Sequence, residues 1–335
     1  MGTKSPFFRA WFGDWRANQV KQPSYVTDIP QGVNIDYTNR LQKNEDTGWV
    51  IHITSDLIKD SQAYSQKDRL YIDRLLSNID EVINKAVLLD TEITDVNNNN
   101  KKRSSQFMHK MYSIVEYQGA PFLAKITVEE YEVNKKRAYN AQRIKMSALS
   151  RAQYNQLKTA YRGNYASNAD TISIADLFNL VKTYDESFNP KPSSVVVDKS
   201  GMPKKVYHST DESFDAFDIT KSRSWNGTPD YDLPGFYFSE NYEDSAAYGG
   251  NVGEYYIKIT KPYEGDVYSL RKEKGSYRAA YEYLVENGYD GVIIDELGEG
   301  SYEYIVLKDV NVKSATDNIG TYDSGNANTK MSKEL

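Results

Sequence analysis

Three short stretches in the C-terminal half hold residue types that could do chemistry together. Tyr207-His208-Ser209-Thr210 offers an imidazole and two hydroxyls. Gly235-Phe236-Tyr237-Phe238-Ser239 runs on, after five residues, to Ser245-Ala246-Ala247-Tyr248, a strand passing into a helix. Aromatic faces such as those of Tyr237 and Tyr248 bind a flat cationic ring well, through stacking and cation–π attraction. Tyrosine is abundant, 28 of 335 residues, so any single ring is weak evidence. The third stretch, Ser301-Tyr302-Glu303-Tyr304-Ile305-Val306-Leu307, alternates as a strand does, with Tyr302 and Tyr304 on one side and Glu303 on the other. A carboxylate between apolar strand residues suits the stabilisation of a nearby cation. Each stretch alone has a plainer reading: a capping or core histidine, a strand–helix junction with core aromatics, a solvent-facing glutamate. Their order and company argue for a site.

The elements around them are legible in part. Residues 5–19 read as a short amphipathic helix, with Phe8, Trp11, Phe12 and Trp15 at helical spacing. A longer periodic helix is expected over about Lys67 to Leu89, where Ile72, Leu75, Leu76, Ile79, Val82, Ile83 and Ala86 recur in three- and four-residue steps. The polar run 95–105, with Lys101, Lys102 and Arg103, reads as a mobile loop and a candidate target contact. The alternating segment around Gln118-Gly119-Ala120-Pro121 reads as a β-hairpin. Helices are expected near 143–160 and 174–184, the second capped by Ser173 or Asp176. Asn189-Pro190-Lys191-Pro192-Ser193-Ser194 reads as a linker. Strands dominate from Val195 onward, with turns at Asp198–Gly201 and Lys261-Pro262 and one helix from about Ser276 to Asn287, stopped by Gly288.

Bulk composition excludes several functions. The 41 basic and 47 acidic residues give a net charge of −6, so no global attraction to nucleic acid or anionic membrane is expected. Cysteine is absent, which removes disulfides, thiolate metal sites and a cysteine nucleophile. Three scattered histidines, His52, His109 and His208, do not make a zinc site, and no metal is expected. The N-terminal MGTKSPFFRAWFGDW lacks a basic region ahead of an apolar core, and Pro6 breaks the myristoylation pattern. No apolar run nears the roughly 20 residues of a membrane helix. A soluble monomer is the expectation, cytoplasmic or delivered into a target cell by a non-classical route.

Together the three motifs resemble the His–Tyr–Glu signature of ADP-ribosyltransferases, the superfamily of poly(ADP-ribose) polymerases and diphtheria toxin. That resemblance implies NAD⁺ as substrate and cleavage of its nicotinamide–ribose bond. It implies that His208 binds the adenosine ribose and that the backbone of Ser209, where many relatives carry Gly, binds the nicotinamide carboxamide. Thr210 and Gly235 fall within the implied NAD⁺-binding motifs. Tyr237 and Tyr248 would sandwich the nicotinamide ring, with Ser245 donating to its carboxamide. Glu303, with His208, would be catalytic, stabilising an oxocarbenium-like transition state by charge and position, as in glycosidases.

The C-terminal part is similar to the ADP-ribosyltransferase domains of polyvalent proteins of phages and conjugative elements. Val195–Pro203 ahead of the histidine, Gly288-Tyr289-Asp290-Gly291-Val292-Ile293 ahead of the glutamate, and the closing Lys313–Asn318 with Gly320–Asp323 support this. In such domains a Trp-Phe-Gly-Asp segment usually precedes the hairpin. Here Trp11-Phe12-Gly13-Asp14 lies far upstream. The expected fold is therefore α+β: a split-sheet ADP-ribosyltransferase-like domain with a helix-rich α+β module inserted into it. Residues 1–19 would be the transferase's first helix, 20–190 the insert, 195–324 the catalytic domain and 325–335 a flexible tail. Insertion is tolerable where the interrupted ends lie together at the surface.

The insert resembles accessory modules of polyvalent proteins, some of them RNase-like, at Ile51-His52-Ile53-Thr54-Ser55 and His109-Lys110-Met111-Tyr112. Two histidines could cleave RNA by acid–base chemistry if they met. A packing or target-recognition role is the plainer reading. The leading expectation is a mono-ADP-ribosyltransferase acting on a macromolecular acceptor, protein rather than nucleic acid, as a phage, mobile-element or bacterial effector. NAD⁺ hydrolysis and nuclease action by the insert are the alternatives.

Overall fold

The computed structural model describes residues 3, 6–19, 23–28, 30, 32, 34–64, 69–93, 105–133, 136–162, 171–227, 229–295, 302–318, 322 and 325–330. The chain forms two compact units: Met1–Trp15 with Lys191–Leu335, and Arg16–Pro190 between them in sequence. The first is discontinuous and the second continuous.

The discontinuous unit begins with helix α1 (Pro6–Phe12), which ends at Gly13 in a left-handed conformation, φ +96°. Each residue of Trp11-Phe12-Gly13-Asp14 has a separate task. The Trp11 indole donates to the Val310 carbonyl at 3.0 Å and stacks on Tyr322. Phe12 stacks on Phe8, and its carbonyl accepts from the Ser194 amide at 2.9 Å. At Gly13 a Cβ would lie 2.1 Å from the Pro192 carbonyl oxygen, so no side chain fits. Asp14 is buried; it accepts from Arg9 Nε at 2.8 Å and from the Lys191 amide, while its own amide donates to the Lys191 carbonyl. The chain leaves this unit at Trp15 and returns at Lys191, and Asp14 and Lys191 hold the two ends together. The expected helix over 5–19 is thus shorter, with a 3-10 turn at Trp15–Asn18 after the Gly13 break.

The continuous unit contains β1 (Pro23–Asp28), β2 (Arg40–Lys43), β3 (Val50–Ile53), α2 (Ser55–Tyr64), α3 (Arg69–Leu76), α4 (Ile79–Lys85), β4 (Val87–Ile93), β5 (Ser105–Tyr117), β6 (Ala120–Val133), β7 (Lys136–Ala148), α5 (Arg151–Arg162), β8 (Thr171–Ser173) and α6 (Ile174–Tyr184). Its centre is an eight-stranded sheet in the order β2-β3-β7-β6-β5-β1-β8, with β4 also on β5. Met111 and Val115 of β5 pack under α2, α3 and α4, whereas Tyr112 and Ile114 face α5 and α6. Both sheet faces are covered, so this unit is sheet-centred rather than helix-rich.

Two expected helices are corrected here. Within the periodic segment expected over 67–89, the described residues from Arg69 on form two helices and a strand, broken at Ser77-Asn78 and again at Ala86, which is extended. Its period runs on because α3 and α4 cover the same core. The expected helix near 143–160 starts only at Arg151, and 143–148 belong to β7. A bulge opposite Thr127 and Val128 skips Gln142, so the buried Ala141 and Ile144 fall three apart and mimic helical spacing. The β5–β6 hairpin and the Ser173 cap on α6 agree with the sequence reading. Residues 94–104, with the basic run 101–103, lie outside the described residues, as do 296–301, 319–321 and 331–335.

The discontinuous unit continues with β9 (Val206–Thr210), β10 (Phe236–Ser239), α7 (Tyr242–Ala246), β11 (Asn251–Ile257), β12 (Pro262–Tyr263), α8 (Val267–Lys274), α9 (Tyr277–Glu286), β13 (Gly291–Asp295), β14 (Tyr302–Val306) and β15 (Val312–Ser314). The strands form a seven-stranded sheet, β12-β13-β14-β10-β9-β11-β15. Phe236, Phe238, Tyr304 and Val306 pack on one face; Ile305 and Val292 pack on the other, under α8 and α9. Helix α8, with few apolar positions, was not expected from sequence. Asp290 accepts from the Thr260 and Lys261 amides, fixing the turn before β12. Residues 325–330 are not a free tail: Lys313 donates to the carbonyls of Asn326 and Asn328, and Thr329 is buried against Asp215 and Ser314.

The close approach at Gly13 predicts that Gly13→Ala destabilises the discontinuous unit by about 3 kcal/mol or more, through a strained φ and a steric clash. Urea unfolding followed by tryptophan fluorescence checks it; an unchanged midpoint would contradict the packing described.

Candidate active site

The site forms where the sheet of the discontinuous unit comes apart. Strands β9 and β10 share a single register pair, Ser239 with Tyr207, whereas β9 pairs with β11 over five positions and β10 with β14 over four. Beyond that pair the edge of β9 at Ser209 faces a cavity instead of a strand. The gap is bridged by a side chain: His208 Nδ1 lies 2.7 Å from the Tyr237 carbonyl oxygen. Because a carbonyl only accepts, Nδ1 carries the proton, and the neutral ring presents Nε2 as an acceptor.

His208 sits among Phe214, Phe217, Phe238 and Tyr255. Burial in this aromatic setting pushes its pKa below the ordinary value, against the smaller opposing effect of the Tyr237 carbonyl. Neutral imidazole is thus the resting form at neutral pH.

The cavity has a volume of about 450 Å³, within the ordinary size for a small-molecule site. Six of the residues expected from the motifs, His208, Ser209, Gly235, Tyr237, Ser245 and Tyr248, line it together with Glu303. Thr210 does not; its hydroxyl accepts from the Glu212 amide and shapes the turn after β9. The Ser209 hydroxyl donates to the Ser245 carbonyl, which ties β9 to α7 and leaves its backbone as the part offered to the cavity. Gly235 lines the wall where a Cβ would press within 2.4 Å of Ile305 Cγ2.

Register places Glu303 opposite Ser239, so Glu303, Ser239 and Tyr237 share one face of the β10–β14 ladder. Tyr304, on the other face, is buried in the core, as the alternation of 302–304 requires. Tyr237 donates to the Leu233 carbonyl at 2.8 Å, which fixes its ring. Burial first, then the anions Asp232 and Glu303, raises its pKa far above the ordinary phenol value, so it stays neutral. Tyr248 differs from Tyr237: its side chain is 83 % exposed at the cavity mouth. Ser245 is buried beneath it.

Sequence reasoning missed Arg223, Asp232, Leu233, Ser239, Asp244 and Tyr302, which also line the cavity. Ser239, Asp244 and Tyr302 sit within or beside the motifs, and strand register could have found them. Arg223, Asp232 and Leu233 come from an irregular loop with no sequence signature. No group of three or more His, Asp or Glu side chains among the described residues could hold a metal ion.

Residues 198–322 match the family described as ADP-ribosyltransferase in polyvalent proteins. This segment is an ADP-ribosyltransferase domain. Residues 35–139 match a second family, large polyvalent protein-associated domain 3, which places the accessory segment in the same class of protein. No curated protein and no solved structure matches the chain. The cavity described above is built entirely by residues inside the transferase match.

The two histidines of the accessory segment do not converge. His52 on β3 and His109 on β5 are separated by β7 and β6, three strand spacings or about 14 Å. They also alternate to opposite faces: His52 lies between the core residues Ile51 and Ile53, whereas His109 is fully buried on their side of the sheet. His109 is held between Thr91 and Glu130, each at 3.0 Å, with Trp49 against its ring. Lys110 is paired with Asp90 and Glu92. This arrangement packs a core, and it removes the two-histidine basis for a nuclease.

The lowered pKa of His208 fixes the sign of its pH effect. Its unfolded form protonates near 6.5 and its folded form at lower pH. Its contribution to stability is therefore complete above 6.5 and is lost as pH falls through that value toward the folded pKa. Ligand affinity of the transferase domain should be flat above pH 6.5 and fall only in more acid solution, when Nε2 takes a proton. Imidazole NMR titration checks this, and a His208 midpoint at or above 6.5 would contradict it.

Proposed function

We propose that the transferase domain cleaves NAD⁺ at the nicotinamide–ribose bond and transfers a single ADP-ribose to a macromolecular acceptor. The observation that carries this reading is the convergence of His208, Ser209, Gly235, Tyr237, Ser245, Tyr248 and Glu303 on one cavity. In this reading the Tyr237 ring, held by its bond to the Leu233 carbonyl, forms the inner wall of the nicotinamide slot. Tyr248 forms the outer wall at the mouth. Ser209 backbone groups and the Ser245 side chain take the carboxamide, and His208 Nε2 accepts from a ribose hydroxyl.

The chemistry needs little more than position and charge. As the pyridinium leaves, positive charge develops on the ribose, and a carboxylate held beside it lowers the barrier. Glu303 is anchored on a strand between Ser239 and Ile294, so it need not reorganise as that charge appears. The cavity wall carries three carboxylates, Asp232, Asp244 and Glu303, against Arg223. That balance disfavours a nucleic-acid backbone as acceptor and favours a polypeptide. Residues 35–139, which match a domain associated with large polyvalent proteins, would then serve target choice in an effector of a phage or other mobile element.

Labelled NAD⁺ incubated with the full chain and a cell lysate tests the reading. Label on protein is expected; free ADP-ribose alone would point to a hydrolase, and no nicotinamide release would refute the reading. Glu303→Gln should lower turnover by about 100-fold or more, with NAD⁺ binding much less affected. Turnover near that of the unaltered protein would take Glu303 out of the mechanism.

A further inference from the structure

The three motifs leave one part of the ligand unserved. NAD⁺ carries a pyridinium at one end and a pyrophosphate in the middle, two charges of opposite kind. Glu303 suits the pyridinium end. Asp232 and Asp244, also in the wall, would repel the phosphates. Among the described residues that line the cavity, Arg223 is the one Lys or Arg.

Its surroundings suit it to bind an anion. The loop that carries it is held at the two residues that follow it. The neighbouring Ser224 is buried, and its hydroxyl accepts from the Asp232 amide at 3.0 Å. Next to that, the Trp225 carbonyl accepts from Arg278 at 3.0 Å, the Arg278 guanidinium lies 3.8 Å over the Trp225 ring, and Tyr281 meets that ring edge-on. The backbone is therefore pinned while the Arg223 side chain projects outward, 72 % exposed. Its guanidinium rests over Tyr231 at 5.2 Å. Asp232 lies 3.7 Å away, near enough to attract but beyond hydrogen-bond reach. Such an exposed pair is weak. A doubly charged ligand can displace it at small cost.

We propose that Arg223 binds the pyrophosphate of the dinucleotide. Its planar fork of N–H donors matches phosphate oxygens and is stronger in that role than a point charge. The residue would thereby make the site selective for a ligand with phosphates between its two rings, beyond the grip of the motif residues on nicotinamide and ribose. This proposal rests on the NAD⁺ reading above.

Three ligands separate the two claims: ADP-ribose, adenosine and nicotinamide, each titrated against the full chain by calorimetry or ligand-observed NMR. Arg223→Ala should weaken ADP-ribose by about tenfold or more, the loss expected for a charge-assisted hydrogen bond, while adenosine and nicotinamide bind as before. Arg223→Lys should recover part of that loss, since it keeps the charge without the fork. The salt sensitivity of ADP-ribose binding should diminish in Arg223→Ala. Unchanged ADP-ribose affinity in Arg223→Ala overturns the proposal and leaves the NAD⁺ reading standing. Equal weakening of adenosine and ADP-ribose overturns it too, because the residue would then act through the shape of its loop. If the unaltered chain binds none of the three, the NAD⁺ reading fails and this proposal fails with it.

Discussion

The transferase domain depends on a ladder that stops. Had β9 and β10 continued to pair past Ser239 and Tyr207, backbone hydrogen bonds would have closed the space that is now a cavity. Separating two strands inside a sheet normally leaves costly unpaired groups. Here the His208 imidazole spans the gap to the Tyr237 carbonyl, and the Ser209 hydroxyl reaches the Ser245 carbonyl on the far side. Those two side-chain bonds stand in for ladder bonds and hold the strands at a fixed separation. Because the strands diverge, residues from both sheet faces reach one cavity: His208 and Phe238 from one, Tyr237, Ser239 and Glu303 from the other.

A second constraint acts at the base of the interruption. The buried Asp14 carboxylate meets both the Arg9 guanidinium and the Lys191 amide. With Gly13 pressed against Pro192, this brings two distant parts of the sequence into one local structure. The aromatic cluster of Phe8, Trp11, Phe12, Trp15 and Tyr322 then completes the core beside Tyr256 of β11. Strand β11 is also the partner of β9, so the N-terminal helix supports the strand that carries His208.

How much of this could be read in the sequence followed from how local each signal is. Motif residues on strands were legible, since alternation fixes the face of Glu303 once its strand is known. The Ser173 cap and the β5–β6 hairpin were legible for the same reason. The two misread helices failed where a tertiary event altered the period: the bulge at Gln142, and a pair of helices covering one core. The exposed stance of Tyr248 and the arrival of Arg223 and Asp232 at the cavity depend on loop paths that no period encodes. The face relation of His52 and His109 depends on strand order, which also lies beyond local sequence.

The discontinuity of the transferase domain imposes an order on its birth. During synthesis Phe8, Trp11, Phe12 and Trp15 leave the ribosome before the other half of their core exists. The whole of Arg16–Pro190 must be made before Lys191 can reach Asp14, a delay on the order of ten to thirty seconds at ordinary elongation rates. Throughout that interval those four side chains lack the partners, Tyr256 and Tyr322 among them, that bury them in the folded unit. The cavity cannot assemble until β14, which carries Tyr302 and Glu303, has emerged. A nascent fragment that stops before β14 therefore lacks Glu303 and with it one wall of the cavity.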